Sequence, residues 1–251
     1  MRRYLPWLNI VAALIALGVN GISNALPLNG QNTGEISDRF KVLFVPAGYV
    51  FAIWGVIYLG WIAFVVYQAL PAHRHNPRLQ KMSWLFALSC AANAAWLFCW
   101  HYNYFELSVV VMLTLLLTLI AIYVRLDIGR APVTTAEKWC VNIPFSIYLG
   151  WISVATIANI TDVLYLWKWN GFGIAPELWA AIMLVVATIL GLAMALTCGD
   201  VAYLSVLAWS YAGIANKQAG VGLVANSAWL MTALVLLMIP FGWWYRKRRI
   251  A

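Results

Sequence analysis

Eight apolar runs, each near the length needed to cross a lipid bilayer, constrain this chain more than any other feature. They cover about 5–26, 46–70, 82–101, 105–125, 139–164, 177–197, 201–216 and 221–245. A spanning helix needs roughly 20 apolar residues, because the hydrocarbon core is about 30 Å thick and each residue advances about 1.5 Å. With 64% hydrophobic and 10% charged residues, the chain carries far more apolar surface than a soluble domain of 251 residues can use. The expected fold class is an all-α membrane protein, a polytopic helical bundle. The seventh run is short and holds Ser205, Ser210 and Asn216, so it is expected to tilt, to line a lumen or to be shielded by its neighbours. Most connections are short. The exception is 27–45, a polar stretch with Gly30, Asn32, Gly34, Glu35 and Asp38, and a connection of that length is commonly a lid. The first run reaches Leu26, contains Asn20 and Asn24 and lacks a small-x-small cleavage signal, so it reads as a retained helix.

Charge sets the expected orientation. With eight spans, one side receives Arg2, Arg3, Arg74, Arg78, Lys81, Arg125, Arg130, Lys138, Arg246, Lys247, Arg248 and Arg249, twelve in all. The other side receives the remaining four, Arg39, Lys41, Lys168 and Lys217. Cytoplasmic loops are enriched in Lys and Arg, so both termini are expected in the cytoplasm, with the chain in a bacterial inner or plasma membrane. Cysteines introduced in 28–42 or near 170 should then react with an impermeant label added outside, and those in 74–80 or 246–250 should not. Labelling of the 74–80 loop from outside would overturn this topology. The net charge of +8 suits anionic lipid at the inner face and, being confined to juxtamembrane clusters, gives no nucleic-acid-binding patch.

The polar residues inside the runs carry the functional information. A polar group taken into lipid costs free energy unless it meets a partner or a cavity. Given the orientation, Asn20 and Asn24 (one face of the first helix), Trp54, Tyr58 and Trp61, Asn93, Trp96 and Trp100, and Tyr148, Trp151, Thr156 and Asn159 all fall in the middle-to-outer half of the membrane, beneath 27–45. Facing inward together they would form an aromatic-walled cavity with a few amides, suited to a flat, largely apolar ligand with a polar rim. The plainer reading of an intramembrane Asn is interhelical glue, and of a terminal Trp an interfacial anchor. Trp7, Trp84, Trp139, Trp167, Trp169, Trp243 and Trp244 take the anchor reading. Asn93 shares its face with Trp96 and Trp100, whereas Ala87, Ala91 and Ala95 form a small-residue stripe on the opposite face for tight packing or dimerisation.

Cys90, Cys99, Cys140 and Cys198 read as reduced, packed thiols. No paired carboxylates, Ser-His-Asp set or metal-ligand spacing falls in the spans. Asp162 is assigned to a helix end, which leaves no intramembrane carboxylate for an ion-coupled pump. His73 and His75 are expected to be solvated, and His101 interfacial.

Pro46 followed by Tyr49-Val-Phe51 with Trp54 and Tyr58, then Asn93-Ala-Ala-Trp96, then Pro144 and Trp151-x-Ser153-x-Ala155-Thr156-x-x-Asn159, resemble the tryptophan-rich sensory protein family (TspO, the translocator or peripheral benzodiazepine receptor family) over about 5–165. The resemblance implies a five-helix bundle, here 1–168, that binds tetrapyrroles, sterols and synthetic aromatic ligands in a pocket under the first loop. Two features depart from the family pattern. No Gly-Pro pair precedes Trp54, and Pro144 lies farther than usual from Trp151. Residues 169–251 add three helices and a basic tail, which resembles a longer, eight-helix branch. No cofactor is required by these residues. The expected occupant is a bound porphyrin or other tetrapyrrole, or a lipid, and the expected role is sensing, carrying or buffering it. The alternatives are a structural or accessory subunit of a membrane, including a pigment-protein, complex, and a porphyrin-degrading enzyme. The expected associations are with membrane lipid, with a small aromatic ligand, and with either a second copy or a membrane-complex partner.

Overall fold

A computed structural model describes residues 4–26 and 28–250, except for the side chains of Asn24, Trp243 and 245–250. All regular structure among the described residues is helical. The first helix, α1 (Leu5–Ala25), starts with Pro6 in its first turn, where a missing N–H costs nothing. The long connection is not structureless: a single turn at Leu28–Gly30 precedes α2 (Thr33–Asp38). Its start is fixed by a capping box, with Glu35 N–H donating to Asn32 Oδ1 at 2.9 Å and Asn32 N–H donating to Glu35 Oε2 at 3.0 Å. A 3₁₀ segment (Gly48–Ala52) leads into α3 (Ile53–Ala69), followed by the short α4 (Pro77–Gln80). Next come α5 (Ser83–His101), α6 (Phe105–Arg125) and α7 (Thr135–Glu137). A π-helical turn (Lys138–Asn142) precedes α8 (Ile143–Leu166), and Pro144, without an N–H to donate, sits at this junction. The last three helices are α9 (Pro176–Cys198), α10 (Val201–Lys217) and α11 (Gly222–Ile250). Gly199 ends α9 in the left-handed conformation (φ 57°), and Asp200 caps α10 by accepting from Tyr203 N–H at 3.0 Å, which makes the expected hairpin.

Among the described residues, seven helical segments are long and apolar enough to cross a membrane: 5–23, 48–69, 83–101, 105–125, 135–166, 176–198 and 222–242. The chain is a polytopic helical membrane protein. Eight spans were expected. The helix α10, with 17 residues, reaches only about 26 Å and is not among the seven.

Contacts divide the chain into two units, residues 1–39 with 54–149 and residues 40–53 with 150–251. This division follows packing, whereas the boundary at 168 follows the family resemblance. In the first unit, α1 pairs with α3 through Asn9 Nδ2, which donates to Gln68 Oε1 at 2.9 Å, and through the Tyr58 hydroxyl, which donates to Asn20 Oδ1. The two bonds are 11 residues apart on α1 and 10 apart on α3, the match that antiparallel helices require. The buried face of α1 is Asn9, Ala13, Ala16, Asn20 and Ser23, while Leu8, Val11, Leu14, Ile15 and Ile22 are exposed. Large rings fill the seam between α3 and α8: Phe64 packs on Phe145 and Phe86, and Gly60 lets Pro144 approach so closely that a Cβ there would lie 2.9 Å from its ring.

At the other end of the same unit Arg78 forms an ion pair with Glu137 and donates from Nε to Leu126 O at 2.8 Å and from Nη2 to Asn142 Oδ1 at 3.2 Å. His73, expected to be solvated, stacks on Tyr67 with ring centroids 4.1 Å apart.

The second unit packs α9, α10 and α11 against one another, and Gly150 of α8 sits close to Val206 and Tyr203 of α10. Residues 46–50 dock on α10: Ala47 N–H donates to Gly213 O at 3.1 Å, Trp209 Nε1 donates to Val50 O at 3.2 Å, and Tyr49 packs edge-on against Trp209.

Candidate ligand-binding site

Five of the eleven expected site residues meet in the first unit. Asn20 is the hub: its Nδ2 donates to Asn93 Oδ1 at 2.8 Å and to Ala16 O at 2.8 Å, and its Oδ1 accepts from the Tyr58 hydroxyl. Helix geometry explains the meeting, since Asn20 on α1, Tyr58 on α3 and Asn93 on α5 each lie on a buried or half-buried face. Trp54 stacks on Tyr58 with centroids 5.8 Å apart and 23° between planes, and meets Tyr148 edge-on at 6.2 Å. The Asn93 amide and the Tyr148 hydroxyl are neighbours. Neither Asn93 Nδ2 nor Tyr148 OH completes a hydrogen bond of good geometry, although both are buried.

Trp61, expected beside Trp54 and Tyr58 though not counted among the eleven, is central to this cluster. It is 2% exposed and meets Tyr148 at 5.4 Å, Tyr58 at 5.6 Å and Phe86 at 6.3 Å, and its indole N–H has no acceptor. Its spacing of three residues from Tyr58 and seven from Trp54 places it on their face.

Trp96 and Trp100 lie on α5 beyond Asn93 and stack on each other at 5.4 Å. Trp100 Nε1 donates to Thr33 O at 3.3 Å, Asn29 Nδ2 donates to His101 O at 3.0 Å, and Arg39 Nη2 donates to Asn103 Oδ1 at 2.6 Å. Residues 28–39 are thus fastened along the C-terminal end of α5. Asn24 lies on α1 with its side chain outside the described residues.

The other three expected residues fall in the second unit. Trp151 is 2% exposed and meets Phe51 edge-on at 5.6 Å, Thr156 Oγ1 donates to Ile152 O of its own helix at 2.7 Å, and Asn159 is buried.

Two polar residues near span ends are fully buried. Asp162 lies near the C-terminal end of α8, as its helix-end assignment expects, yet it is 2% exposed and its Oδ1 has no hydrogen-bond partner among the described residues. His101 is the last residue of α5, at a span end, and is 0% exposed.

A family model described as TSPO-like protein matches residues 6–241. The chain belongs to the TSPO-like family. The match extends beyond 165 through α9, α10 and most of α11, so the family relationship of this TSPO-like protein is not confined to the stretch whose motifs announced it. No curated protein and no solved structure matches the chain.

Proposed function

We propose that this TSPO-like protein binds a flat, largely apolar molecule with a polar rim, of the tetrapyrrole class, in the Asn20–Tyr58–Asn93–Tyr148 cluster, and that it senses, carries or buffers that molecule in the membrane. The observation that carries this reading is the set of buried donors without completed bonds, Asn93 Nδ2, Tyr148 OH and Trp61 Nε1, within a wall of aromatic rings. A buried donor left unsatisfied costs about 1–3 kcal/mol, and an occupant with polar edge atoms would remove that cost. The rings of Trp54, Tyr58 and Tyr148 would take its face, and Asn93 and Tyr148 its rim. Family membership supports the same reading.

The test titrates protoporphyrin IX into the purified protein and follows quenching of tryptophan fluorescence. Tyr148→Phe keeps the ring contacts and deletes an incompletely bonded hydroxyl, so the empty protein should melt at the same or a higher temperature. Its affinity should nevertheless fall about fivefold, the equivalent of about 1 kcal/mol. Asn93→Ala should weaken binding to a similar degree. Wild-type affinity in both variants would sink the proposal. A Soret band in protein purified with native lipid supports it, whereas loss of pigment under light would point to porphyrin breakdown instead, and a stoichiometric protein partner to a structural subunit.

A further inference from the structure

We propose that Lys81, Trp84 and Arg125 form a site for the headgroup of an anionic phospholipid, on the side of the membrane that the charge bias assigns to the cytoplasm. The inference does not depend on the tetrapyrrole reading, because these residues lie at the opposite end of α5 from Trp96 and Trp100.

The three residues meet where α5 begins and α6 ends. Lys81 lies two residues before α5, Trp84 stands in its first turn, and Arg125 is the last residue of α6. Arg125 Nη1 donates to Lys81 O at 2.9 Å, and the guanidinium carbon lies 5.5 Å from the centroid of the Trp84 ring. The two spans are 83–101 and 105–125, so Lys81 and Arg125 fall at the level of the lipid phosphates.

What these cations lack is an anion. Arg78, three residues before Lys81, is neutralised by Glu137. Lys81 and Arg125 are exposed, and neither has a carboxylate within ion-pair distance among the described residues; Asp127, two positions beyond Arg125, makes no such pair. The bond to Lys81 O brings two like charges to one patch of surface, which an anion between them would stabilise.

A phosphodiester fits that patch. The Lys81 carbonyl takes one N–H of the guanidinium and the Trp84 ring takes one face, which leaves the other N–H groups available as a fork for two phosphate oxygens. Lys81 adds a point charge. Because Arg125 is already held by a ring and a carbonyl, little side-chain freedom is lost when the headgroup arrives. Apolar surface recognises the rest of the molecule: Trp84 and Val124 are exposed, and so are Leu88 and Ile120 one turn deeper. That surface suits acyl chains and separates a lipid from free phosphate. The ligand lies against the outside of the helices, so no enclosed volume is required.

The experiment measures retention of phosphatidylglycerol and of phosphatidylcholine by the purified protein in micelles, by native mass spectrometry and by thermal melting. Wild type is expected to retain a single phosphatidylglycerol and to melt higher in its presence, with no such response to phosphatidylcholine. Arg125→Gln and Lys81→Gln should each weaken retention about fivefold. Lys81→Gln removes only an exposed charge and keeps the carbonyl that holds Arg125, so its lipid-free melting should match wild type. Arg125→Lys keeps the charge but loses the fork and the planar contact with Trp84, and should fall between wild type and Arg125→Gln. Arg74→Gln and Arg130→Gln remove the same charge elsewhere on that side and should retain lipid as wild type does. Equal losses in those two variants would show diffuse attraction by net charge and overturn the site. Unchanged retention in Lys81→Gln and Arg125→Gln would overturn it as well. Excess inorganic phosphate should leave the lipid bound, and displacement would show a site for a free anion in place of a lipid.

Discussion

Replacing Arg78 with methionine is expected to destabilise the protein by about 3–5 kcal/mol, the cost of removing one partner from a mostly buried ion pair. The Arg78 side chain is 18% exposed and that of Glu137 10%, so neither charge is well hydrated. Arg78 ties together the end of α6 at Leu126 O, Glu137 of α7 and Asn142 of the π turn, and methionine would leave all three acceptors without their donor. Adding Glu137→Met to Arg78→Met should recover part of the loss, because it removes the carboxylate that the first substitution strands. The measurement is reversible unfolding of the purified protein in mixed micelles, with both single variants and the double variant compared. Equal stability of Arg78→Met and wild type would show that the network contributes nothing net.

Gly213→Ala is expected to cost about 1–3 kcal/mol, the usual penalty of overpacking. A Cβ at 213 would lie 2.2 Å from Val50 Cγ2 and 3.2 Å from Pro46 Cβ, so residues 46–50 must move away from α10. That movement would also strain the Ala47–Gly213 backbone bond and the Trp209 bond to Val50 O. Thermal melting should show the loss, and Val50→Ala combined with Gly213→Ala should restore part of it by removing the facing methyl groups. Protease sensitivity at 40–48 should rise in Gly213→Ala and fall back in the double variant. Unchanged melting and cleavage would mean that the segment docks on α10 by other contacts.

The sequence made the spans legible nearly to the residue: 82–101 is realised as Ser83–His101, and 105–125 as Phe105–Arg125. A membrane-crossing helix and an apolar run end at the same polar residues, so one reports the other. Which face turns inward was harder to read. In lipid the outward face is as apolar as the core, and the amphipathic signal that orients a soluble helix fades. Only polar residues then mark the interior. Asn20 and Asn93 are readable for that reason, whereas Trp61, apolar apart from one N–H, is placed only by its spacing from Trp54 and Tyr58. His101 and Asp162 were placed by their nearness to span ends, but their burial depends on packing from elements far away in the chain. The 27–45 connection shows the same limit. Its capping box is local and could be read at Asn32 and Glu35, whereas the neighbouring bond from Asn216 to Tyr49 joins residues 167 positions apart and leaves no local trace.

The inward face of α1, built from Asn9, Ala13, Ala16, Asn20 and Ser23, reverses the arrangement of a helix in a soluble protein, with its bulk turned toward solvent lipid. Mutational tolerance along α1 should follow that reversal. Leu8, Val11, Leu14, Ile15 and Ile22 should exchange freely among apolar residues, since the bilayer takes any hydrocarbon shape. At Ala13 and Ala16 a single added methylene should be felt, because two backbones already share that space. A saturation scan of α1 would therefore show its most sensitive positions at the smallest side chains and its most permissive ones at the largest.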